Sequence, residues 1–200
     1  MAISANMALS EDSVDAGTLS GYGTLAGDDP TTSVVLPFTV TLDGVGYTDL
    51  FISGNGWVEF GPGPGFSDFS NDCLPTSPHS GPMVAAYWDD LAHFGGGVLE
   101  FGFVGIAPNQ VYIVNYDATT LSGGHETDFQ IQIHETSNVI NVKYFDMAPG
   151  AIGQSATIGY QHAGGAAAIT YPLVCNGEVL DDNTNDADPG SDGWSIVPIR

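Results

Sequence analysis

The sequence predicts an all-β fold, an antiparallel β-sandwich with long loops, and three observations predict it. No window of helical length keeps an apolar period of about 3.6 residues, and glycines interrupt most candidates. Short runs rich in β-branched and aromatic residues recur along the chain, each bounded by turn residues. No helical pattern intervenes between them, which leaves sheets packed on sheets rather than a parallel sheet wound with helices.

Residues 1–30 have little core-forming pattern and read as an arm or an added edge strand. "AISANMALS" alternates loosely, with Ile3, Ala5, Met7 and Leu9 on one side. Residues 31–200 read as one domain. Its strands are expected at 33–42 ("SVVLPFTVTL"), 47–53 ("YTDLFIS"), 57–60 ("WVEF"), 83–91 ("MVAAYWDDL"), 97–104 ("GVLEFGFV") and 110–119 ("QVYIVNYDAT"). Further strands follow at 127–135 ("TDFQIQIHE"), 139–145 ("VINVKYF"), 155–162 ("SATIGYQH"), 168–174 ("AITYPLV") and 194–199 ("WSIVPI"). Asn55-Gly56 signals a two-residue hairpin turn. Taking Ser137-Asn138 as a second such turn puts Ile133 opposite Val142 and Gln132 opposite Lys143, with Lys143 on the solvent face. Residues 61–82, "GPGPGFSDFSNDCLPTSPHSGP", form a loop long enough to require a function or a pin.

Only Lys143 and Arg200 are basic, against 18 Asp and 6 Glu, for a net charge of −22. That balance argues against nucleic acid and against anionic membrane surfaces as partners. Salt bridges can satisfy one or two carboxylates at most. The others must meet water, backbone N–H groups or metal, and the excess of Asp over Glu suits turns and hard cations. No stretch is long and apolar enough to span a membrane as a helix, and the first residues lack the basic and apolar regions of a signal peptide. Cys73 and Cys175 are the only cysteines and fit no zinc or CxxC spacing. The alternatives are two unrelated free thiols or one disulfide. The disulfide is expected, because the rest of the chain reads as extracellular.

Candidate chemistry is sparse. No HExxH, GxSxG or P-loop occurs, and nothing in the sequence brings two carboxylates together for glycoside hydrolysis. No catalytic residue is therefore assigned. The strongest chemical signal is "LDDNTNDADPGSDGW", residues 180–194. Asp181, Asn183, Asn185, Asp186, Asp188 and Asp192 offer oxygen ligands suited to Ca²⁺. The EF-hand pattern fails, since its glycine position holds Asp186, and a solvated acidic loop is the alternative. Asp89 and Asp90, ending an apolar run, read first as one carboxylate capping the N–H groups of the following "HFGGG" turn and one in water, with a second metal position as the alternative.

The order of the pieces resembles a known family. "LPFTVTLDGVGYTDLFISGNGWVEFG" looks like an extended strand followed by a "ssNGw" hairpin, and "MVAAYWDDL" looks like an "iApfWdDl" segment. "TDFQIQIHETSNVINVKYF" and "SATIGYQHAGG" complete a set that is similar to the NIDO domain, the nidogen-type extracellular domain, with looser relatives in bacterial surface proteins. The likeness is strongest over residues 34–165. It implies a secreted, non-enzymatic module of adhesion or matrix assembly at the cell surface. Expected partners are further copies of itself or other surface and matrix proteins; the N-terminal strand either completes a sheet of its own domain or adds to a neighbouring subunit and builds filaments. The alternative is a calcium-dependent glycan-binding module using Phe66, Phe69 and Tyr87.

Overall fold

The computed structural model describes residues 2–4, 14–77, 79–148, 150–151, 153–165, 170–177 and 192–197. In chain order the elements are β1 (Ala2–Ser4), one 3-10 turn (Ala16–Thr18), β2 (Ser20–Leu25), β3 (Gly27–Asp28), β4 (Thr31–Leu42), β5 (Val45–Ser53), β6 (Trp57–Phe60) and β7 (Met83–Trp88). There follow β8 (Leu91–His93), β9 (Leu99–Val104), β10 (Val111–Thr120), β11 (Glu126–His134), β12 (Ile140–Met147), β13 (Thr157–Gln161), β14 (Thr170–Cys175) and β15 (Asp192–Val197). All pairings are antiparallel, and no α-helix occurs among the described residues.

The larger sheet runs β1-β15-β12-β11-β10-β8-β3, with β9 beside β10 and β2 beside β9. The smaller sheet runs β14-β13-β7-β6-β5-β4. Their inner faces form one core, in which Val40, Ile52, Val58 and Tyr87 meet Tyr116, Phe129, Ile131 and Val142. Two tyrosines of the larger sheet also tie the layers by hydrogen bonds. Tyr116 donates to Ser53 O (3.0 Å), and Tyr144 donates to Ala86 O. Burial raises the Tyr116 phenol far above its ordinary pKa, so it stays a donor.

β6 and β7 are buried along their whole length, which accounts for the unbroken apolar run of β7. Val58 and Val84 face the core, while Trp57, Met83, Ala85 and Trp88 form a second cluster with Phe51 and Leu74. The 61–82 segment, a strap, closes over this second cluster. Strands covered on both faces lose the polar-apolar alternation of half-exposed ones.

Three local expectations are corrected. The turn at Asn55 is a three-residue connection, because Ser53 pairs with Trp57. Gly56 there has φ 78, and a Cβ would lie 1.9 Å from Tyr87 O. The β11–β12 turn spans four residues, with Asn138 left-handed at φ 54 and His134 N bonded to Val139 O. The register therefore slides by two. Ile133 faces Ile140 and Lys143 faces Gln130, so the same residues still look inward. Lys143 keeps its outward parity, yet it is buried. The outer face of the sheet is covered here: the Gln130 side-chain amide receives Val14 N–H (3.2 Å) and donates to Val14 O (3.0 Å). Finally, "MVAAYWDDL" is two strands, broken at Asp89-Asp90.

Candidate functional site

The acidic end of the sandwich is organised by Asn55. Its side chain is fully buried and reaches three segments. It donates to Asp29 Oδ1 (2.6 Å) and Ser67 Oγ (2.7 Å), and accepts from Leu91 N–H (2.9 Å). The β3–β4 turn, the strap and the β7–β8 connection are thus fixed around one amide, which is why the hairpin carries Asn rather than any other turn former.

Asp28 and Asp29 stand at the β3–β4 turn, Asp29 with left-handed backbone at φ 51. Asp90 comes from the β7–β8 connection. One carboxylate oxygen from each of the three lies within 4.8 Å of the others. Burial first, and then the charges of Asp28, Asp29 and Asp89, raise the Asp90 carboxyl above its ordinary pKa. Three oxygen donors from two loops are a partial ligand set for a hard divalent cation.

The Asp89-Asp90 pair, read alternatively as one metal position, is split. Asp89 is buried and turns away; its oxygens accept from Asp90 N–H (2.8 Å) and Ser155 Oγ–H (2.5 Å). The chain bends at Asp89, between β7 and β8, so the two neighbouring carboxylates part. Sequence reasoning missed Asp28 and Asp29; the signal was "GDDP", an acidic turn before proline. Of the 180–194 ligand set, Asp181, Asn183, Asn185, Asp186 and Asp188 lie outside the described residues. Asp192 begins β15, opposite Tyr144 of β12.

A second acidic feature lies on the outer face of the larger sheet. Asp117 faces Asp128, and Asp128 faces Asp146, across three adjacent strands. With Glu126, Phe94 and Gly95–Gly97 they line a cavity of about 510 Å³. Burial and the facing charges of Asp117 and Asp146 push the Asp128 carboxyl up to about 6. The folded chain thus holds this proton more tightly than the unfolded one. The stability it contributes is full below pH 3.8, the ordinary value, and is lost as pH rises through about 6. Replacing Asp128→Asn is expected to raise the melting temperature at pH 7 and to flatten the melting curve's pH dependence between those values. An unchanged pH profile would refute the assignment.

The strap is pinned at several points. Cys73 and Cys175 form the expected disulfide, tying it to β14 across a sequence separation of 102. Trp57 and Trp88 both donate their indole N–H to Asp68 O (3.0 and 2.8 Å). Gln161 holds Thr76 N–H (2.7 Å) and donates to His79 O (2.9 Å). Beneath it, Glu59 is buried and accepts from Gly81 N–H (2.7 Å), with His79 Nδ1 at 3.0 Å. The other nitrogen of His79 lies 3.7 Å from Asp68 Oδ2, beyond hydrogen-bonding distance. Of the aromatic residues expected on loops, Phe66 and Phe69 are exposed on the strap, whereas Tyr87 is buried in the core.

Comparison with known proteins gives one match. A family model described as NIDO related covers residues 11–186, wider at both ends than the stretch in which the sequence motifs lie. No curated protein and no solved structure matches the chain.

Proposed function

The chain belongs to the NIDO-related family, and from that premise we propose that it is a non-enzymatic structural or adhesive module of the cell surface or extracellular matrix. In this reading it associates with further copies of itself into filaments, by addition of the N-terminal strand to a neighbour. The family match carries the reading, and the disulfide between strap and β14 agrees with an oxidising, extracellular setting. The net charge of −22 keeps such surfaces from sticking laterally and leaves backbone pairing as the means of contact. The test is the assembly state and location of the protein from its native source. Sedimentation and electron microscopy are expected to give oligomers or filaments, and antibody is expected to label intact cells. A monomer confined within the cell would overturn the proposal.

A second reading, calcium-dependent binding of a ligand such as a glycan, is favoured by the convergence of Asp28, Asp29 and Asp90. Neutralising three neighbouring carboxylates relieves repulsion that no adjacent cation relieves among the described residues. Millimolar Ca²⁺ is then expected to raise the melting temperature by several degrees over EDTA, and Asp90→Asn to abolish the difference. Equal melting of wild type in both conditions would remove Ca²⁺ from this end of the sandwich. A glycan array read with and without EDTA separates ligand binding from simple stabilisation.

A further inference from the structure

Self-assembly by strand addition requires a receiving edge, and the sheet register identifies one. β1 lies at the end of the larger sheet with Ala2 opposite Val197, Ile3 opposite Ile196 and Ser4 opposite Ser195. Followed inward, the row of Ile3 continues through Ile196, Ile140 and Ile133 to Tyr112. Ile196, Ile140 and Ile133 are fully buried. Take β1 away, and β15 becomes an edge strand whose unpaired N–H and C=O groups run beside the end of a core row. Such an edge is a template for another strand. β15 therefore needs a partner along its outer side.

Nothing in these main-chain bonds distinguishes a strand of the same chain from that of a copy. Both pairings form the same contacts, so tether and concentration decide between them. The tether starts at Val14, whose N–H and C=O are both held by the Gln130 side chain. Nine residues separate Ser4 from Val14, and fully extended they reach at most about 35 Å. That is enough to carry residues 2–4 to a neighbouring molecule. Residues 1–10 contain no ionisable side chain, in a chain of net charge −22. An equally acidic copy can accept this segment without repulsion between side chains.

We propose that β1 is an exchangeable strand and that its acceptor is the Ser195–Val197 edge of β15 in a second copy, antiparallel and in the intrachain register. The inference rests on the self-assembly reading above and names its contact surface. Strand and edge are different surfaces, so each copy donates one strand and accepts another.

The test mixes two single variants, Ala2→Cys and a mass-tagged Val197→Cys, under mild oxidation, with the native cysteines already joined. Non-reducing gels are expected to show the mixed dimer at least ten-fold above a control mixture of Ala2→Cys with tagged Val35→Cys, a residue 75% exposed on β4. The double variant Ala2→Cys/Val197→Cys, oxidised while dilute, locks the strand in its own chain and is expected to lose assembly by light scattering. A mixed dimer no stronger than the control, or a locked chain that assembles like wild type, would overturn β15 as acceptor while self-assembly itself stands. A wild-type chain that stays monomeric at high concentration would instead defeat both.

Discussion

The double replacement Cys73→Ser/Cys175→Ser is expected to lower the unfolding free energy by roughly 4–5 kcal/mol, the largest effect of any change away from the core. The bond closes a loop with a sequence separation of 102, and cross-linking so long a loop removes much of the freedom of the unfolded chain. Its position adds a native-state cost. The strap covers Phe51, Trp57, Met83 and Trp88 on the outer face of the smaller sheet, and Cys175 ends β14, that sheet's edge strand. Without the bond the strap keeps its packing and its hydrogen bonds, among them those to Gln161, Thr157, Asn55, Glu59 and the two indoles. Urea unfolding at neutral pH, followed by tryptophan fluorescence, measures the loss. In a melting experiment it corresponds to a fall of roughly 10–15 °C for a chain of this size. A double variant within 1 kcal/mol of wild type would mean that the strap is held by its packing alone.

His79→Ala is expected to cost about 3–5 kcal/mol, because it strands a buried carboxylate. Glu59 has two partners, the Gly81 amide and His79 Nδ1, and is 2% exposed. Removing the imidazole leaves the carboxylate of Glu59 with one partner, the Gly81 amide. It also empties the space between the Trp57 and Trp88 rings, whose centroids lie 4.5 and 5.4 Å from that of His79. The double variant Glu59→Gln/His79→Gln separates the two causes, since a neutral amide pair fills the site without a buried charge. It is expected to recover more than half of the loss in urea titrations. If Glu59→Gln alone recovers nothing in the His79→Ala background, packing and not charge is what His79 supplies.

Most strands were legible from the chain alone, because alternation and turn residues act over neighbouring positions. β6 coincides with "WVEF", and β5, β10, β11 and β13 lie where β-branched and aromatic runs predicted them. Register was harder. The β11–β12 pairing preserved its inward face but slid by two residues, since a two-residue and a four-residue turn give the same parity. β2 and β3 carry little apolar content. They become strands because β9 and β8 offer edges to them.

The sequence by itself determined the fold class, the family, the absence of cationic partners for most carboxylates, and the one pair of cysteines able to join. Each of these follows from composition or from residues close along the chain. Tertiary structure alone decided which acids meet. Asp90 leaves its neighbour Asp89 and joins Asp28 and Asp29, some sixty residues earlier, because the β3–β8 pairing brings Asp28 opposite Ala92. Asp117, Asp128 and Asp146 align because β10 pairs with β11, and β11 with β12 beyond a one-residue register shift at Asp128/Phe129. Gln130, which faces the buried Lys143, is covered because chain at Val14 returns over the outer face of its sheet. Burial and convergence are set by sheet order, which depends on contacts between residues far apart, and no local pattern records it.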